Sequence, residues 1–470
     1  MSTVVERIGR YAAGLGFDEL DAPVVDYAKR ILLDSLACAY GGLESGPARI
    51  VRACARDELG GGGHATVFGK AAKSSAPLAA LANGVALRYQ DYNDVYFGPA
   101  WTAHPSDNLA TLLAAAEWRD CTGREFLRAM VVAYEVQLRF ADLPVARNLW
   151  HAGWHHTGAC AYSAAAGAGV LLGLDDAQLG HAISLAGARS NTLSEIRHGD
   201  ISMDKALSAP LVASQSILCS LLARRGFTGC STLLEGPYGF RHAVAGGVDV
   251  EPLVPQHGDF RILKVGLKPY PVEGMTPAMV QAALELRAEF GIEPGEIESI
   301  RILAHNEALT KPSWDARKLA PTTKETADHS FHYCVAVALV AGEVTSRQFS
   351  DEWLRNPAVA ALMARTRLDE KPELTAWYRK GLRPAAVEVT TPRGAFHREV
   401  LHPLGDPRNP MTWDDVTKKF VTQAEPVLGA KRTRDIVDRT SAIEKEGSMR
   451  FFVELLGGSG PAMRRTKRAL

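Results

Sequence analysis

The stretch GACAYSAAAGAGVLLG, residues 158–173, decides the fold. It is almost entirely Ala, Gly and aliphatic residues, with no charge and no Pro. A helix that is apolar all round is a buried one, and small side chains let neighbouring helices approach closely. The run is too short and too rich in Gly to span a bilayer. It therefore predicts a central helix of a large helical domain, enclosed by other helices.

Those helices are legible on either side. Asp175-Asp176 opens one that runs through His181 and Leu185, and another extends over about 203–225 and stops at Gly226. Upstream, Asp21 caps a helix with Pro23 in its first turn. Val24, Ala28, Ile31, Leu32, Leu36 and Ala39 recur at helical spacing until Gly41-Gly42. Residues 74–90 and 107–117 repeat the pattern. The character changes near Lys264. Thr276-Pro277 starts a helix that stops at Gly291, and IESIRIL (297–303) has the length and composition of a strand. Helices follow around 326–342 and from Ser346, and VEVTT (387–391), Pro392-Arg393-Gly394 and FHREV (396–400) read as a β-hairpin. The tail returns to helix from Thr412. The expected fold is mainly α: an all-helical domain of residues 1–265 plus 404–470, interrupted by a smaller α+β domain at 266–403.

The chain has 470 residues, too many for one ordinary core. Lys+Arg and Asp+Glu both number 53, so no bulk charge favours nucleic acid or an anionic membrane, and an anionic ligand must be met by a few local cations. Seven cysteines at wide spacings, with no CxxC, argue for reduced thiols. The N-terminal residues lack the apolar core of a signal peptide, and cytoplasmic residence is the expectation.

Two motifs fail. GGGGHATVFGKA (60–71) has one residue too many between Gly63 and Gly69 for a phosphate loop, and Ala71 stands where Ser or Thr would hold magnesium. HAGWHH (151–156) and HSFH (329–332) offer histidine pairs but no acidic or Cys ligand at a suggestive spacing, so neither a metal nor an organic cofactor is expected.

Four segments place polar groups where packing does not need them. QDYNDVYFGPAWTAHPSDN (90–108) gathers Asp91, Asn93, Asp94 and His104 in a loop between helices, where catalytic groups concentrate. GWHHTGA (153–159) sets His155 before the small-residue helix. Lys205 begins an otherwise apolar helix after Asp200-Ile-Ser-Met-Asp. LKPYPVEGMTP (267–277) carries Lys268 and Glu273 among prolines.

Taken with ALANGVALRYQDYND (80–94), ISMDKALSAP (201–210), PTTKETADHSFHYCVAVALVAGEVT (321–345) and HPLGDPRNPMT (402–412), these segments resemble the MmgE/PrpD family over about residues 5–450. The resemblance implies a homodimer with a large helical domain and a smaller lid, an active site between them, and no metal or organic cofactor. The family contains 2-methylcitrate dehydratases, cis-aconitate decarboxylases and iminodisuccinate epimerases. Residues implicated in the decarboxylase branch match Asp91, His104, His155, Lys205 and Lys268. Asn93 and Val95 stand where that branch usually has Asp and Thr, and Glu273 where it has His. The pattern Lys268-x-Tyr-Pro-x-Glu273 and the PTTKETADHS segment look more like the dehydratase branch, although Gly274 replaces the His that usually follows.

The chemistry fits such a substrate. Removing a proton α to a carboxylate requires a base and cations for the developing charge. His104 suits the acid–base role because imidazole titrates near neutrality. Asp91 could orient it, and Lys205 and Lys268, with Asn93 beside them, could hold carboxylates. His155 could serve the leaving hydroxyl, and Glu273 could act as a second acid–base group. The expected function is a hydro-lyase acting on a small di- or tricarboxylate such as 2-methylcitrate. Epimerisation of a dicarboxylate, decarboxylation, and carboxylate binding without catalysis are the alternatives.

Overall fold

The computed structural model describes residues 2–458 apart from 58, 60, 61, 71, 200, 311 and 312. Gly60, Gly61 and Ala71 of the glycine-rich segment, Asp200, and the last twelve residues of the expected helical domain lie outside the described residues.

The small-residue stretch forms the helix Thr157–Leu171, and nearly every residue in it is buried. It packs against Gly123–Ala141, Asp176–Gly187 and Asp204–Arg224. A Cβ on Gly167 would meet Leu112 at 2.7 Å and the backbone oxygen of Ala129 at 3.0 Å, so a larger residue there would force these helices apart. The surrounding helices include Ala22–Gly42, Ala76–Tyr89 and Leu109–Arg119. The C-terminal helix Trp413–Leu428 returns to pack on Ala22–Gly42. Asp175 caps Asp176–Gly187 through a reciprocal box with Gln178, whereas the Asp21 side chain makes no capping bond.

A second apolar core, drawn from residues between Val272 and Val400, gathers around a four-stranded sheet. Its order is Thr366–Glu370, Ser299–Ala304, Ala385–Thr391, Gly394–Val400, the first pair parallel and the others antiparallel. Pro277–Phe290 packs on the hairpin and on Phe331–Ala341. The first core takes its residues from positions 4–267 and 411–456.

Two expectations need correction. The helical part is not free of β-structure: Ala65–Val67 pairs with Ala72–Ser74, and Tyr96–Phe97 with Thr102–Ala103. The second ribbon folds the 90–108 loop back on itself, and no side chain fits at its turn, since a Cβ on Gly98 would lie 2.2 Å from the Ala141 carbonyl oxygen. From Ser346 the chain makes a 3-10 turn and two short helices instead of one helix. Among the described residues one helix, Asp204–Arg224, is long and apolar enough to cross a membrane. Much of it is buried against Ala76–Tyr89 and Thr157–Leu171, and it carries Pro210 and the buried Lys205.

Candidate active site

The helix Ala76–Tyr89 ends just before Asp91, which takes the left-handed conformation at φ 52°. That turn aims its carboxylate into a ring of buried cations. Arg88 and Lys268 each donate to Oδ1 at 2.8 Å, and Lys205 lies 3.1 Å from Oδ2. Lys268 also donates to the Asp91 carbonyl oxygen at 2.9 Å. Burial by itself would raise the pKa of Asp91, but Lys205, Lys268 and Arg88 outweigh it and hold the carboxyl well below the usual range. Lys205 bridges onward to Asp328, 3.2 Å from both oxygens, and Lys324 meets Asp328 at 2.6 Å. Burial pushes the Lys205 ammonium down to about 8, against the pull of Asp328 and Asp91.

His104 stands apart from this ring. The Asp94 backbone carbonyl lies 2.5 Å from its Nδ1. A carbonyl can only accept, so Nδ1 carries the hydrogen and Nε2 keeps the lone pair. Burial, with Arg88 and Lys268 nearby, lowers the His104 pKa well below its ordinary value, so the imidazole is neutral. The Asp94 carboxylate accepts from Ser106 Oγ at 2.6 Å and Tyr134 Oη at 2.8 Å, which pins the loop. The sequence reading assigned Asp91 to orient His104; the Asp94 carbonyl performs that task, and Asp91 faces the lysines. Asn93, assigned to substrate, is wholly buried and joins Arg88 to Ser106, with Asp107 also in reach. It stands behind the cavity wall.

A cavity of about 600 Å³ opens between the two cores. Asp91, His104 and His156 line one side, and Glu273, Lys318 and Arg383 the other. Arg197 and Arg379 add two more cations. Arg383 sits over the Phe97 and Tyr378 rings at 4.0 and 4.2 Å, and Arg197 touches His329 Nε2. Among the described residues neither arginine has a carboxylate within ion-pair distance. Glu273 Oε2 accepts from the Met275 N–H at 2.9 Å, which fixes the turn before Pro277–Phe290.

The tandem histidines diverge. His156 lines this cavity, with its ring edge-on to His104 at a centroid distance of 5.2 Å. His155, the residue singled out from sequence, lines a smaller cavity of about 200 Å³ behind it and bonds through Nδ1 to Thr157. Lys268 likewise lines a separate pocket and is taken up by Asp91, so its direct role is to hold Asp91. Lys205 acts from behind Asp91 in the same way.

Sequence reasoning missed Arg197, Lys318 and Arg383, for which no local pattern exists. It also missed His329, weighed only as a metal pair with His332, whereas its Nδ1 contacts the adjacent Asp328. Asp91, Asp328 and His329 present three ligand atoms within 4.8 Å of one another, a spacing that a cation could use. The Lys205 ammonium already lies between the two carboxylates and meets that charge.

Profiles of known families divide the chain at the same break as the cores. The MmgE/PrpD N-terminal domain matches residues 6–253, and the MmgE/PrpD C-terminal domain matches residues 270–443. The chain belongs to the MmgE/PrpD family. Among MmgE/PrpD relatives, 2-methylcitrate dehydratase of Cupriavidus necator is 27% identical over 431 residues, covering 86% of this chain and 85% of the relative. The 2-methylcitrate dehydratase of Escherichia coli K12 is 26% identical, with coverage of 71% and 72%. Cis-aconitate decarboxylase of Aspergillus terreus is 25% identical, with coverage of 97% and 96%.

Proposed function

We propose that this MmgE/PrpD chain is a hydro-lyase that removes water from a small polycarboxylate of the 2-methylcitrate type, without a metal or organic cofactor. The observation that carries the reading is a neutral His104, its Nε2 lone pair free for a proton, in a cavity whose other walls present Arg197, Lys318, Arg379 and Arg383. Cations at several points suit an acid with two or three carboxylates. They also stabilise the charge that builds on a carboxylate when the neighbouring carbon loses its proton. The names of the relatives and the Lys268-x-Tyr-Pro-x-Glu273 pattern favour dehydration. The second imidazole in the cavity, His156, equally suits an epimerase, which needs two acid–base groups. We place the enzyme in the cytoplasm and expect it to work as a homodimer, to be checked by light scattering.

The test is a screen of hydroxylated di- and tricarboxylates with ultraviolet detection of a new conjugated double bond, run beside proton exchange in deuterated water. An alkene is the expected result. Exchange without alkene marks an epimerase, and the absence of both signals overturns the enzymatic reading.

A further inference from the structure

Dehydration needs an acid for the leaving hydroxyl as well as a base for the carbon. We propose that His156, rather than its neighbour His155, is that catalytic acid, and that it acquires its proton when the anionic substrate binds. This inference rests on the hydro-lyase reading.

Three observations support it. His156 is 3% exposed, lines the cavity, and its Nε2 is buried with no hydrogen-bond partner among the described residues. An unpartnered polar nitrogen in such a place is costly unless a ligand meets it. It also sits edge-on to His104, so both rings can reach one bound molecule. His155 Nε2 is likewise buried without a hydrogen-bond partner among the described residues, so the cavity tells the two apart: His155 opens onto the smaller one, away from His104.

The charged and titratable groups around His156 are His104 and Asp91 from the loop, Arg88 from Ala76–Tyr89, Arg197, and the adjacent His155. Burial first, and then His104, Arg88 and Arg197, hold it well below the ordinary imidazole range, so it is neutral in the empty site. A substrate carrying two or three negative charges reverses that balance and favours imidazolium. One proton, not two, is taken up, because a charged ring beside the other suppresses its protonation. His156 is the ring that takes it, since it can face a hydroxyl or carboxylate oxygen. His104 Nε2 must instead face a C–H, which offers no acceptor.

In the reaction His104 Nε2 takes the carbon-bound proton, and the C–H electron pair becomes the new C=C bond. The C–O bond breaks, and its electron pair accepts the His156 proton to give water. His104 ends protonated and His156 neutral. The His104 proton returns to solvent as the product leaves.

The decisive measurement is calorimetry of the substrate identified in the screen, bound to His104→Gln protein so that turnover is blocked, in two buffers of different ionisation heat at about pH 7. Uptake approaching about one proton per site is expected. His104→Gln/His156→Gln should lose it, and His104→Gln/His155→Gln should keep it. In the otherwise native enzyme, His156→Gln should lower kcat by about 10²–10⁴-fold with KM little changed. His156→Asn is the second choice should the Gln variant fail to fold. Absence of proton uptake by His104→Gln protein, or its loss with His155 and not with His156, overturns the proposal. A wild type that neither converts nor exchanges any acid refutes the hydro-lyase reading instead.

Discussion

Replacing Asp91 by Asn removes the negative charge that the ring of cations surrounds and almost nothing else. The side chains are isosteric, and Asn tolerates the left-handed backbone at φ 52°. The three cations are not affected alike. Lys205 keeps Asp328 at 3.2 Å, and Arg88 keeps Asp107 at 3.7 Å. Lys268 keeps the backbone carbonyl of residue 91 but, among the described residues, no carboxylate. It is 1% exposed, so water cannot replace the lost partner. Removing one member of a buried ion pair costs about 3–5 kcal/mol, and a loss of that size is expected in denaturant unfolding. The charge accounting also sets the sign of two further results. Adding Lys268→Met to Asp91→Asn should recover part of the loss, because it removes the stranded ammonium. The Lys268 pKa, already lowered by burial, should fall further in the single variant. Between that folded value and the unfolded value of about 10.4, the unfolded chain binds the extra proton, so the variant should gain stability as pH rises. A loss below about 1 kcal/mol, or a double variant less stable than Asp91→Asn, would falsify the view that Asp91 serves chiefly to hold these lysines.

Other results follow from the same geometry. Burial sets the Lys205 ammonium at about 8, below its unfolded value, so activity that depends on its charge should fall as pH rises through about 8. Lys205→Arg should shift that limb upward, since guanidinium stays charged, and an unmoved limb assigns it elsewhere. His104→Gln should lower kcat by about 10²–10⁴-fold in a folded protein, checked by circular dichroism, and near-normal turnover would remove His104 from the base role. Activity should survive chelation, because an ammonium meets the Asp91 and Asp328 charges. Loss with EDTA that one added metal restores would reverse that conclusion.

The helices around residues 158–173, the hairpin at 385–400 and the break near residue 265 were legible because each is written in local periodicity, capping or turn residues. Strand Thr366–Glu370 was not: TRLDE has no apolar alternation, and it becomes a strand only because Ser299–Ala304 offers it a parallel edge. The candidate site divides along the same line. His104, Asp91, Lys205 and Glu273 stood out as polar groups in unusual company, and the family resemblance reinforced them. Which of them meet could not be read, because Lys205 finds Asp328 across 123 positions and Lys268 finds Asp91 across 177. Nor could a sequence distinguish His155 from His156. They are adjacent and chemically identical, and the turn into Thr157–Leu171 sends one ring to each of two cavities. Sequence by itself determined the helical body, the α+β insertion and the kinds of chemistry present, since these depend on neighbours along the chain. Tertiary structure alone decided which carboxylate holds which cation and which imidazole lines the larger cavity, because Coulomb energy and desolvation depend on distances in space.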